Sequence, residues 1–337
     1  MTDELIVKLF EEKNIGSVVA PIVPVSGGFM HRMYRVETDK GMYAVKHLNP
    51  GIMKRPDALN NYRRAEALEK QLEDAGIPIV PAITIDGNKM QLIDGEYFYI
   101  FRWQAGAISD WYNISAEQCR IAGNIQGRIH AIDPGQVSET EPELSSVNWD
   151  GLIEEAAAKD QKVEKLLKEN KELLLYAEEE MNKARAALPA IECIVDEDMD
   201  PKNVMWDNGR AVVIDLECLD RGNPVSGVLQ LSLQWAGITI CDLDISKMKA
   251  FYEGYTEAYD SGFNEYSKVF GLAYTWIEWL EYNITRALDE HADEAERETG
   301  LSQVEQTIAR IRYIKDMEDK IILNLKEWFD EGKKNYA

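Results

Sequence analysis

The sequence predicts an α+β chain in two parts, a mainly β first part and a mainly helical second part. Three observations carry that reading. Short β-branched and aromatic runs crowd the first hundred residues, with one longer helical stretch among them. Beyond residue 104 the composition turns helical, with apolar residues at helical spacing. Within that helical part stands one hairpin, residues 195–217, reading V-D-E-D-M-D-P-K-N-V-M-W-D-N-G-R-A-V-V-I-D-L-E.

Composition sets the outer limits. A chain of 337 residues is long enough for two domains or lobes, and an apolar fraction of 45% with eight Trp supports a real core. Sixty acidic against 37 basic residues give a net charge of -23, which argues against nonspecific binding of nucleic acid or anionic membrane. The same acidity leans toward a cationic small molecule, although solubility is the plainer account of it. Cys119, Cys193, Cys218 and Cys241 are far apart and form no C-x-x-C pair, so neither a zinc site nor a disulfide framework is indicated. No basic n-region opens the chain and no apolar run approaches the ~18 residues of a membrane span. A reducing cytoplasm is the expected location.

The hairpin carries the chemistry. Asp207-Asn208-Gly209 marks its turn, because Asn-Gly readily takes positive φ, and Ala211-Val212-Val213-Ile214 forms the returning strand. Asn203 follows Asp198 by five positions, and Asp215 closes the second strand. A carboxylate, a carboxamide and a second carboxylate would then meet in a small space. Hard oxygens of this kind suit Mg²⁺, completed by phosphate and water. Asp, Asn five residues on and a later Asp is also the arrangement of kinase-type phosphoryl transfer.

On these residues the chain resembles the aminoglycoside phosphotransferase and choline kinase family, small-molecule kinases of the protein-kinase-like fold. D-M-D-P-K-N-V-M-W followed by V-V-I-D-L-E is the stretch that carries the resemblance. It implies that Asp198 is the catalytic base, that Asn203 and Asp215 bind Mg²⁺, and that Glu217 stands where protein kinases have Gly. One departure accompanies it. The family has His, then Gly or Arg, before the catalytic Asp, whereas this chain has Asp196-Glu197. An Asp replaces that bracing His as a hydrogen-bond acceptor but not as a donor, which bears on rate more than on fold.

In order along the first part, residues 3–14 read as an amphipathic helix carrying Leu5, Ile6, Leu9 and Phe10 on one face, with Thr2 as N-cap. Strands follow, one ending at 25–28, then 33–37 and 42–48. Gly27 and Gly28 lie between two of them, where backbone N–H groups can approach phosphates, and a plain hairpin turn is the simpler account of the pair. No Walker A sequence occurs. Lys46, in A-V-K, sits in an apolar strand where a lysine needs a partner or an exposed edge. The kinase resemblance gives it the α- and β-phosphates of a nucleotide, with a carboxylate from helix 59–75 to steady it. Glu66 is the first choice and Glu69 the reserve, because helical rotation is not fixed by sequence. Residues 79–83 and 97–101 complete a five-stranded antiparallel sheet. After them the resemblance places the hinge that recognises the purine edge, which by position makes Phe101 to Trp103 the base-binding segment.

In the second part, 115–132 is a helix with Ser115 and Glu117 at its start and Ile121, Ile125 and Ile129 on one face. His130 reads as a packed structural histidine rather than a base. Residues 148–187 form a charged helical region, and 244–260, 265–290 and 301–335 three further helices. Trp276, Trp279, Glu278 and Glu281 read either as core with a solvated face or as a lining for a cationic substrate.

The sequence therefore predicts a protein-kinase-like fold of two lobes. Residues 1–103 form the nucleotide-binding N-lobe, and 104–337 form a C-lobe with the catalytic loop and a helical substrate region. The implied activity moves the γ-phosphate of ATP or GTP, with Mg²⁺, to a hydroxyl of a small molecule such as an aminoglycoside or an amino alcohol. Nucleic acid and membrane are not expected partners. A nucleotide-binding protein without catalysis is the alternative, resting on Asp196-Glu197. A protein kinase is disfavoured by Glu217 and by the lack of A-P-E after Asp215.

Overall fold

The computed structural model describes residues 2–25, 31–135 and 143–330. Gly27 and Gly28 lie outside the described residues. In chain order the elements are α1 (Thr2–Glu12), β1 (Val23–Val25), β2 (Arg32–Thr38), β3 (Gly41–His47), α2 (Pro50–Met53), α3 (Ala58–Asp74), β4 (Gln91–Ile93), β5 (Glu96–Arg102) and β6 (Ala107–Ile108). Then come α4 (Ala116–His130), α5 (Trp149–Lys159), α6 (Gln161–Ala186), β7 (Cys193–Asp196), β8 (Val204–Asp207), β9 (Arg210–Val213) and β10 (Leu219–Gly222). The chain continues with α7 (Pro224–Trp235), α8 (Ile245–Ala258), α9 (Trp276–Leu288) and α10 (Glu294–Leu325). Contacts divide it into two compact units, Met1–Ser109 with Lys202–Asp220, and Asp110–Pro201 with Arg221–Ala337.

The first unit is built on an antiparallel sheet of order β1-β2-β3-β5-β4, so β3 is its central strand. Period-2 alternation gives β3 two different faces. Tyr43 and Val45 join Val36, Phe98 and Ile100 against Ile6, Leu9 and Phe10 of α1, whose i, i+3, i+4 spacing makes one apolar stripe. Lys46 points the other way, as does Tyr99, its partner across β5. Tyr99 packs with Leu48, Tyr62 and Ala82 on the α3 side.

Five strands are present as predicted, but the fourth is Gln91–Ile93 and not 79–83. Pro78 and Pro81 carry no N–H and cannot sustain a ladder there. The segment keeps only isolated bridges, Ile79 to Val213 and Ala82 to Phe101. The β4–β5 turn is Asp94-Gly95, both at positive φ (49° and 86°), the geometry of a two-residue hairpin.

In the second unit α4 begins with a full capping box, Ser115 accepting from the Gln118 amide while the Gln118 side chain accepts from the Ser115 N–H. α4 and α8 cross closely at glycines. A Cβ on Gly123 would meet the Phe251 carbonyl oxygen at 2.0 Å, and one on Gly254 the Arg120 carbonyl oxygen at 1.9 Å. The predicted helical region 148–187 divides at Asp160, which ends α5 and caps α6 by accepting from Lys162 N and Val163 N. The predicted helix 265–290 is a 3-10 stretch, Tyr266–Thr275, followed by α9. α10 starts earlier than predicted, because Asp293 caps it on the Glu296 amide. Among the described residues no helix is long and apolar enough to cross a membrane.

Candidate active site

Hairpin β8–β9 pairs Val204 with Val213 and Asp207 with Arg210, and its turn residues Asn208 and Gly209 take φ of 49° and 78°. Pairing runs one step past the strands, where the Ile214 N–H donates to the Asn203 carbonyl at 2.9 Å. Asn203 thus lies beside the residue that precedes Asp215, as the spacing predicts. Asp215 itself adopts φ 64° and ψ 61°, a left-handed conformation that costs a non-glycine residue about 1–2 kcal/mol. A 3-10 turn, Leu216–Cys218, follows at once. Strain of this sort persists where the surroundings enforce it, and such positions cluster at functional sites.

That reversal delivers two carboxylates to one ammonium. Lys46 Nζ lies 2.7 Å from Asp215 Oδ1 and 2.9 Å from Glu217 Oε1. Lys46 is 4% exposed on the central strand, which rules out an edge-strand lysine in solvent. Burial works against its charge, but Glu217 and Asp215 outweigh burial and hold its pKa above the ordinary lysine value. Burial likewise pushes Glu217 up, yet Lys46 and His31 prevail and keep its carboxyl below the usual range. One positive charge faces two negative ones, and a divalent cation would offset the excess.

Glu66 is not brought to Lys46. Its Oε1 accepts from the Tyr99 hydroxyl at 2.8 Å and from the Met90 amide at 3.1 Å. Glu69, the reserve, accepts from the Ala82 amide at 2.7 Å and pairs with Lys89 at 2.8 Å. Phe101 sits in β5 opposite Ala44 and packs its ring against the Leu48–Tyr62–Ala82–Tyr99 cluster. Trp103 follows β5, donates its N–H to the Met42 carbonyl at 3.0 Å, and carries an exposed ring near the Arg35 guanidinium. Sequence reasoning missed His31, whose Nε2 lies 3.3 Å from Glu217 Oε2. A single histidine after a glycine pair has no periodicity that could have singled it out.

The second unit contains Asp198, in the turn after β7. Its amide donates to the buried Asp196 carboxylate at 3.2 Å, while Glu197 is exposed and Asp198 half-buried. Trp235 of α7 holds the same turn by donating its indole N–H to the Met199 carbonyl at 2.9 Å. Asp196 therefore acts as the acceptor brace that its chemistry permits. His130 is buried, with one ring nitrogen 2.8 Å from the Tyr255 hydroxyl and the other 2.6 Å from the Gln126 amide, and burial lowers its pKa to about 3. A histidine so committed is structural. The Trp276 face is occupied by the Arg310 guanidinium, 3.8 Å from the ring centroid, and Trp279 stacks on Tyr282. Glu278 pairs with Arg185 at 2.8 Å, and burial beside Glu178 and Glu278 raises the Glu281 carboxyl.

Among the described residues no three His, Cys, Asp or Glu side chains are grouped to hold a metal. Asn203 and Asp215 offer two hard oxygens, a donor set that fits Mg²⁺ when phosphate and water supply the rest.

A family model, the phosphotransferase enzyme family APH, matches residues 21–262. No curated protein matches the chain. Among solved structures the chain is similar to a spectinomycin phosphotransferase in complex with ADP and spectinomycin, with a TM-score of 0.68 at 12% identity over 91% of this chain and 97% of that one. It is also similar to an amicoumacin kinase in complex with AMP-PNP and Ca²⁺, with a TM-score of 0.60 at 12% identity over 93% of each chain. A Plasmodium vivax ethanolamine kinase aligns with a TM-score of 0.57 at 13% identity, over 85% of this chain and 81% of that one. At these identities the likeness establishes the fold, which is the protein-kinase-like one that the sequence predicts.

Proposed function

The chain belongs to the phosphotransferase enzyme family and is a small-molecule kinase, and from that premise we propose that it transfers the γ-phosphate of ATP or GTP to a hydroxyl of its acceptor. The observation that carries this reading is Lys46 drawn to Asp215, the residue after the Ile214–Asn203 backbone pair. Lys46 holds the α- and β-phosphates. Asn203 and Asp215 hold Mg²⁺, which supplies charge neutralisation to the phosphates. Asp198 orients the acceptor hydroxyl and takes its proton, which leaves the oxygen free to attack the γ-phosphorus as the bond to the nucleoside diphosphate breaks. The backbone at Phe101–Trp103 meets the purine edge. The Phe101 side chain is spent on packing, so that contact rests on main-chain groups. ADP and AMP-PNP in the similar structures support an adenine nucleotide as donor.

Positioning and electrostatics supply most of the acceleration in such a site. A net charge of -23 supports an acceptor carrying positive charge, such as an aminoglycoside or amino alcohol. The competing reading, a nucleotide-binding protein without catalysis, rests on Asp196-Glu197. The brace from Asp196 to the Asp198 amide supports the active form.

The test is thermal unfolding with Mg·ATP and Mg·GTP, followed by turnover on a panel of small hydroxylated compounds. At ~100 times its Kd a nucleotide adds about 2.7 kcal/mol of stability, a shift of a few degrees for a chain of this size. A shift accompanied by phosphorylation of one compound class is expected. A shift with neither transfer nor slow Mg-dependent hydrolysis would favour the non-catalytic reading.

A further inference from the structure

We propose that Glu217, braced by His31, is the residue that positions Lys46 for the nucleotide phosphates, in the place that sequence reasoning assigns to Glu66 on α3. The inference rests on Lys46 being the phosphate-holding lysine of the proposed function.

The glutamates along one stripe of α3 are all committed elsewhere. Glu66, Glu69 and Glu73 fall at i, i+3 and i+7, one stripe of the helix. All three bind the segment 82–90 and its neighbour Tyr99. Glu66 takes the Met90 amide and the Tyr99 hydroxyl, Glu69 takes the Ala82 amide and Lys89, and Glu73 takes Lys89 at 2.6 Å. Turning Glu66 toward Lys46 would strip the acceptor from the hydroxyl of Tyr99, a residue only 3% exposed. An orphaned buried donor keeps its full desolvation cost. The helix is latched to the sheet and its loop.

Glu217 is held from both sides. Oε1 faces Lys46 at 2.9 Å, and Oε2 faces His31 Nε2 at 3.3 Å. The tautomer of His31 follows from its other nitrogen. The Asn49 amide can only donate, and it donates to Nδ1 at 3.0 Å. In the neutral ring the proton is therefore on Nε2, aimed at Glu217 and at the Tyr62 hydroxyl 3.1 Å away. Each carboxylate oxygen faces a different neighbour, Lys46 by charge on one side and His31 on the other, which favours one orientation of the side chain.

Asp215 and Glu217 are not equivalent. The Asp215 side chain is 38% exposed and that of Glu217 15%. Asp215 is the proposed metal holder, and once it is engaged by a cation, Glu217 is the carboxylate that remains with Lys46. An ammonium has three donors. One is given to Asp215 Oδ1 at 2.7 Å, Glu217 Oε1 is drawn in by charge at 2.9 Å, and the ammonium keeps donor capacity for phosphate.

A double-mutant cycle on the full chain, read as the Kd of Mg·ATP by calorimetry, tests this. Glu217→Gln should weaken Mg·ATP by about tenfold, through loss of the buried charge that holds the ammonium. Lys46→Met should weaken it at least as much, and the double variant should be no worse than Lys46→Met alone. Glu217→Asp should recover part of the loss. Glu66→Gln should change the Kd by less than about twofold, within the usual error of additivity. If Glu217→Gln does not fold, His31→Gln serves in its place, with a smaller loss that again vanishes on the Lys46→Met background. Additive losses, or a loss on Glu66→Gln larger than on Glu217→Gln, would overturn the proposal while leaving Lys46 in its role. An unchanged Kd for Lys46→Met would overturn the proposal and the proposed function of Lys46 together.

Discussion

At Lys46 a buried ammonium meets two carboxylates, and a divalent cation would offset the excess negative charge. The opposite case is His130, a buried group that gains nothing from being charged. Its pKa is lowered to about 3 by burial, against about 6.5 in an unfolded chain. The folded state therefore binds fewer protons than the unfolded state between those values. Its contribution is fully present above pH 6.5 and is lost as pH falls from there toward 3. Urea unfolding at a series of pH values should show a wild-type loss of up to about 1.4 kcal/mol per pH unit beyond that of His130→Gln. Parallel curves for the two proteins would contradict it. At this scale spacing and strand context in the sequence singled out Lys46, Asn203 and Asp215, of which the structure pairs Lys46 with Asp215. It did not show the pairing of Glu217 with Lys46, because the left-handed turn at Asp215 is set by tertiary surroundings. Nor did it show that Glu66 is committed elsewhere, since residue spacing fixes a helix stripe but not what that stripe faces.

Among elements, hairpin β8–β9 was the most legible, since Asn208-Gly209 dictates the turn and the turn dictates the register. The fourth strand was misplaced because an apolar run, I-V-P-A-I, outweighed its own prolines, while the Asp94-Gly95 turn that announces β4–β5 passed unnoticed. The α4–α8 crossing was also written in the sequence. Gly123 and Gly127 stand one turn apart on α4, against Phe251 and Tyr255 of α8, and Gly254 of α8 lies against Arg120 of α4. Backbone carbonyls occupy the space that side chains would need, and a carbonyl cannot swing aside as a side chain can. Gly123→Ala and Gly254→Ala should each lower stability by about 1–3 kcal/mol or more, despite the gain in helix propensity. Denaturant titration would check this, and an unchanged or raised midpoint would show that the helices separate without cost.

Across the whole molecule, the family, the kinase-like fold and the acidic composition agree on a small-molecule phosphotransferase. Each compact unit holds a different part of the proposed chemistry. Lys46, Asn203 and Asp215 belong to the first, and Asp198 to the second. The chain passes from one to the other between Pro201 and Lys202, three residues after Asp198. Nucleotide binding and proton transfer should therefore be separable by mutation. The most direct measurement compares wild type and Asp198→Ala in two assays on the same preparations, Mg·nucleotide affinity and phosphoryl transfer to the acceptor that the panel identifies. Affinity within about twofold of wild type with kcat lowered by about 10²-fold or more is the predicted result. Transfer at a near-normal rate by Asp198→Ala would contradict the assignment of the base, and with it the central claim.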